Sequence, residues 1–149
     1  MKMALAFVLL LSAPLAVAQK NVGELLDAGA ALLSAEEFRR EIVQRVLVGL
    51  SPTGSALEVV YTDDGAVQGK GNPANLPGVT FQNVAPIAGE WTIDNTGKIC
   101  TSMRISSPGG LVFILPPRCQ FWFKYADQYF LADSDTDRSA RVLSRKVKQ

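Results

Sequence analysis

The chain has 149 residues, of which 48% are hydrophobic, 19% charged and 8% aromatic, with two cysteines, no histidine and a formal charge of +1. That size and composition suit one globular domain, neither disordered nor fibrous. Without histidine, Ser-His and Cys-His catalysis and imidazole metal sites are excluded, and near-neutral charge argues against a dedicated nucleic-acid binder.

Residues 1–18, MKMALAFVLLLSAPLAVA, read as a signal peptide. Lys2 gives a positive start, Ala4 to Leu11 an apolar run, and Ala16-Val17-Ala18 a small-x-small cleavage site. An uncleaved anchor is the alternative, but the run falls short of the roughly 20 residues that span a bilayer, and Pro14 interrupts its end. The secreted domain is then 19–149, with 14 basic and 14 acidic residues once Lys2 is lost. In a Gram-negative cell its destination is the periplasm. An even cysteine count in that oxidising compartment favours a Cys100–Cys119 disulfide, contributing about 3 kcal/mol through loop closure. Two thiols without histidine or C-x-x-C spacing make a poor zinc or redox site.

The spacing of Val22, Leu25, Leu26, Leu32 and Leu33 predicts helix, and Ser34 opens a second helix with a capping box to Glu37. Leu33 and Phe38 are placed for a hydrophobic staple, while Phe38, Ile42, Val43 and Val46 form its apolar face. Glu36–Arg40 and Glu41–Arg45 stand as i,i+4 pairs on the wet face. The helical region is set at 22–48. Ser51-Pro52-Thr53-Gly54 ends it, and the period changes to two.

Leu57, Val59 and Tyr61 begin a hairpin that turns at Asp63-Asp64-Gly65 and returns through Lys70. Residues 71–88 are a proline-containing loop, read as an insertion or a binding flap. Trp91 and Ile93 lead through Asp94–Gly97 to a strand ending near Ile105, followed by a short strand from Leu111 to Leu115. Cys119 to Tyr125 and Gln128 to Ala132 form a third hairpin, and Ala140 to Leu143 a last short strand. The meander is therefore set at 56–143 and a basic tail at 144–149. The fold class is α+β, mostly β: an N-terminal helical segment on a curved antiparallel meander or partial barrel, tied by one disulfide. Strand parity puts Cys119 with Phe121, Phe123 and Tyr125 but Cys100 with Lys98, Ser102 and Arg104. One cysteine thus falls on an apolar face and the other on a wet one, which a bulge or sheet corner would resolve.

Asp133, Asp135 and Asp137 open like a calcium loop, but Arg138 replaces the sixth-position glycine and Ser144 the twelfth-position glutamate, so an acidic turn is the reading. Arg138, Arg141, Arg145, Lys146 and Lys148 are read as a solvated tail, with contact to anionic lipid or an acidic partner as the sharper alternative. The aromatic run Phe121-Trp122-Phe123 has large rings on both strand faces. It is core, or the wall of an apolar pocket together with Trp91. No motif for catalysis, metal or cofactor binding is found.

The succession Leu33-Ser34-Ala35-Glu36-Glu37, Val59 to Ala66, Gly89-Glu90-Trp91-Thr92-Ile93-Asp94, Cys100, Cys119 and the Tyr125-to-Tyr129 hairpin resembles the small secreted proteobacterial proteins of domain-of-unknown-function family 995. The similarity runs over residues 33–132 and implies a periplasmic, disulfide-bonded, mostly β domain without transferable catalytic residues. The Gly89-x-Trp91 opening and disulfide also resemble periplasmic protease-inhibitor β-barrels. The leading expectation is a non-enzymatic periplasmic binding module holding a small apolar molecule near Trp91, Phe121, Trp122 and Phe123, or an envelope protein gripping that surface. An inhibitor or accessory protein acting through 71–88, and an unrecognised hydrolase, are the alternatives.

Overall fold

Asn21 caps the first helix among the described residues, which are 19–72, 84–107 and 109–149 of a computed structural model. The proposed signal peptide and positions 73–83 of the 71–88 loop lie outside these described residues. Helix α1 (Val22–Asp27) is short because Gly29, at φ +85°, ends it. Gly29 N–H donates to Leu26 O and Ala30 N–H to Leu25 O, the paired bonds of a Schellman C-cap that only a left-handed residue closes comfortably. Leu32 therefore leaves the expected helix and enters β1 (Ala31–Leu32). Helix α2 (Ala35–Glu41) carries the expected capping box between Ser34 and Glu37, and both staple residues, Leu33 and Phe38, are buried.

The helical region stops before 48. Gln44 adopts a positive φ of 65° and donates its N–H to Tyr61 O, turning the chain into β2 (Val46–Leu50). Val46-Leu47-Val48 satisfies β geometry with its branched side chains and an alternating buried Leu47. Then follow β3 (Ala56–Tyr61), β4 (Ala66–Gly71), β5 (Ala85–Ile93), β6 (Ile99–Ser106), β7 (Val112–Ile114), β8 (Arg118–Tyr125), β9 (Gln128–Ala132) and β10 (Leu143–Val147). The last strand is a second correction. The segment read as a basic tail is β10, paired with β9 on one side and β2 on the other. Its alternation sends Leu143, Arg145 and Val147 inward, and Arg at the middle inward position hides the pattern.

Strands β8, β9, β10, β2, β3, β4, β5 and β6 close into an antiparallel eight-stranded barrel. The seam is short: Ile99–Gln120, Cys100–Cys119 and Thr101–Arg118 are the paired positions of β6 and β8. Beyond it, β7 pairs with Arg104, Ile105 and Ser106 of β6, and β1 with Phe123 and Lys124 of β8. The Cys100–Cys119 disulfide sits in the middle of this seam.

The parity conflict disappears in three dimensions. Cys100 and Cys119 are cross-strand partners on the outer face, and Phe121 and Phe123 also point outward, where α1 and the chain around Val142 bury them against Val22, Leu25 and Phe130. The opposite face of β8 looks into the barrel. Both faces of the strand are dry for different reasons, with no bulge needed. No helix of the described residues is long and apolar enough to cross a membrane.

Candidate functional site

Helix α2 plugs one part of the barrel. Phe38 enters a ring cluster with centroids 5.5 Å from Tyr61, 5.4 Å from Trp91 and 5.1 Å from Trp122. Trp91 donates its indole N–H to Thr62 O at 2.9 Å, so the polar edge of this ring is satisfied. Outside the cluster, Lys124 and Tyr129 both donate to Glu41 Oε2, at 2.6 and 3.1 Å, fastening the end of α2 to β8 and β9. These bonds hold the Glu41 carboxyl below its ordinary range, the Lys124 contact acting most strongly. Glu41 thus serves this tie, with Arg40 beside it, rather than the Arg45 partner expected from helix spacing.

The other part of the barrel is hollow. A cavity of about 440 Å³ is walled by Leu57, Val59, Ile87, Met103, Ile105, Leu131 and Leu143, with Ser51 to Thr53, Asn72 and Leu115-Pro116 around it. The volume falls in the range of small-molecule sites, and eight strands make a barrel wide enough to hold one small ligand. It stays open because small residues line it where bulky ones would fill it: Gly71, Ala56, Thr101 and Ser55 all contribute to the wall. Tyr61 belongs both to the plug and to the cavity, and forms the boundary between them.

Two arginines face this space in different states. Arg118 is half-exposed and neutralised by a two-pronged contact with Asp133, at 3.1 and 2.9 Å, while Gln120 also donates to Asp133. Arg145 is only 6% exposed and its Nη1 donates to Leu50 O at 2.9 Å and Ser144 O at 2.8 Å. No carboxylate pairs with it among the described residues, which include every Asp and Glu of the chain. Burial pushes the Arg145 guanidinium below its usual range, and burial pushes the neighbouring Tyr61 phenol up to about 12, so the phenol stays protonated.

The four residues expected to hold a ligand divide between two environments. Trp91 and Trp122 point into the barrel and build the plug; Phe121 and Phe123 lie outside it under α1. None of the four is in the cavity wall. Arg145 and Met103 escaped sequence reasoning as site residues, although the alternation Leu143-x-Arg145-x-Val147 was a usable signal for an inward arginine.

The acidic residues near the loops are separately engaged. Asp133 serves Arg118 and Gln120, and Asp137 accepts from the Ser139 amide and hydroxyl. Asp94 stands within 4.8 Å of both cysteine sulfurs, but the disulfide leaves no thiolate there to join it on a metal. No protein-family model, curated protein or solved structure matches the chain, so the family resemblance rests on the motifs quoted above.

Proposed function

We propose that this protein is a non-enzymatic binding module, secreted to the periplasm, that carries a small, largely apolar molecule inside its barrel. One observation carries the reading: the barrel interior is packed with rings at the α2 plug but hollow over about 440 Å³ beyond Tyr61, with mainly aliphatic walls. Water against such walls is held at a free-energy disadvantage that an apolar occupant removes. The signal-like first 18 residues and the disulfide are compatible with an oxidising compartment.

The test is native mass spectrometry on protein purified from its own cell envelope, beside titration with the neutral fluorescent probe N-phenylnaphthylamine. A retained small molecule, or saturable probe binding at one site, is expected. Met103→Trp puts a large ring into the cavity and is expected to abolish both while the protein keeps its far-UV spectrum. A clean ligand-free mass together with no probe uptake by the wild type overturns the reading.

A further inference from the structure

Among the described residues, Arg145 is the one buried cation that lines the cavity. An arginine inside an aliphatic wall is costly to keep unless an anion or a full set of acceptors meets it. Arg145 has only part of that set. Its two Nη1 protons go to Leu50 O and Ser144 O, while its Nη2 and Nε donors have no acceptor among the described residues. That edge is the planar fork that matches a carboxylate with two parallel bonds.

The side chain is also given room. Gly49 is the cross-strand partner of Arg145, and a Cβ at that position would stand 2.8 Å from Nη1 and 3.0 Å from Cδ. The two carbonyls fix the guanidinium without neutralising it. Arg118, the other cation in the wall, is already answered by Asp133, and the sequence between Asn72 and Val84, PANLPGVTFQN, holds no acidic residue. One unanswered positive charge above aliphatic walls matches a ligand with one negative charge and an apolar tail.

We propose that the barrel binds an amphiphilic monocarboxylate, its tail among Val59, Ile87, Met103 and Leu131 and its carboxylate on the Nη2–Nε edge of Arg145. This rests on the cavity being a ligand site, the reading given above. The Tyr61 phenol, which lines the same cavity and is close enough for each group to feel the other, offers a protonated hydroxyl as a further donor.

Calorimetric titration of the intact secreted domain with decanoate, decanol, decylamine and decyl phosphate tests it, since the four share one tail. Wild-type protein is expected to take decanoate at least about tenfold more tightly than decanol, the scale of one charge-assisted bidentate contact, with decylamine weakest. Arg145→Met is expected to bring decanoate down to the decanol level and leave decanol unchanged. Arg145→Lys is expected to keep part of the preference, because the charge survives and the fork does not. Equal wild-type affinity for decanoate and decanol overturns the head-group assignment but leaves the apolar site standing. Tighter binding of decyl phosphate than decanoate replaces carboxylate by phosphate and overturns it too. No binding of any of the four removes the cavity reading and this inference together. The wild-type comparison decides the matter even where Arg145→Met fails to fold.

Discussion

Arg145 lies across Gly49: the two are directly opposed in the β10–β2 ladder, and the guanidinium passes over the space where a side chain at 49 would stand. A Cβ there would meet Ser144 O at 2.5 Å as well as Nη1 at 2.8 Å. The carbonyl belongs to the backbone and cannot rotate away, so Gly49→Ala is expected to force β2 and β10 apart. The cost should be about 1–3 kcal/mol, the ordinary range for overpacking, read as a lower urea midpoint. The same variant should weaken decanoate more than decanol, because it moves the arginine. An unchanged midpoint would show that the two strands are not in this close register.

The disulfide sits in one of the shortest ladders of the barrel. Only three residue pairs join β6 to β8, and Cys100–Cys119 is the middle one. Replacing both cysteines by serine removes a crosslink across a sequence separation of 19, worth about 3 kcal/mol in the chain-entropy model. The loss is expected first at the seam: amides of Ile99 to Thr101 and Arg118 to Gln120 should exchange faster than those of β3 and β4. Uniform acceleration across all strands would instead mean that the seam does not open on its own.

The hairpins were legible because each turn announces itself between alternating runs, as at Asp63-Asp64-Gly65 and Asp94 to Gly97, and both turns stand where expected. The capping box at Ser34 was equally plain, since it is local chemistry. What could not be read was anything that depends on closure. Leu32 and Val46 fit a helical period, and only the left-handed Gly29 and Gln44 divert them into strands. The cysteine parity looks contradictory in the sequence because the rings beside Cys119 suggest an inward face, whereas that face of β8 lies outside the barrel under α1. Arg145 was hidden for the same reason. An arginine between a serine and a lysine near a chain end reads as solvated, and its burial follows only from β10 having neighbours on both sides.

The tie between Glu41 and β8–β9 sets an acid limb to the stability. Its carboxyl titrates below its ordinary value of 4.5, chiefly through Lys124 and also through Tyr129. A depressed native value means that the stabilisation is complete above the ordinary glutamate range and disappears as pH falls through the lowered value. Lys124 is partly exposed, so the pair is worth only about 1 kcal/mol at neutral pH. Glu41→Gln should lose about that much at pH 7 and converge with wild type near the acid end. Parallel curves for the two proteins across the acid range would refute the assignment.

Phe38 holds the plug together, and its removal tests the plug and the hollow part of the barrel as separate energetic units. The ring is 1% exposed and touches Tyr61, Trp91 and Trp122, each by an edge or tilted contact. Phe38→Ala should therefore cost about 3–5 kcal/mol, transfer and cavity terms together, with loss of the near-ultraviolet dichroism of both tryptophans. Because Tyr61 is the partition between plug and cavity, the void left by Phe38 would lie directly behind the proposed ligand site. Once the ring no longer supports it, Tyr61 can swing toward α2 and lengthen the apolar chamber. The variant is then expected to shift its preference toward longer-tailed carboxylates while keeping the decanoate-over-decanol ratio, since Arg145 is untouched. Thermal unfolding gives the first quantity and a chain-length series by calorimetry the second. A lost head-group preference with an intact chain-length optimum would reverse the assignment, making Phe38 and not Arg145 the residue that orients the ligand.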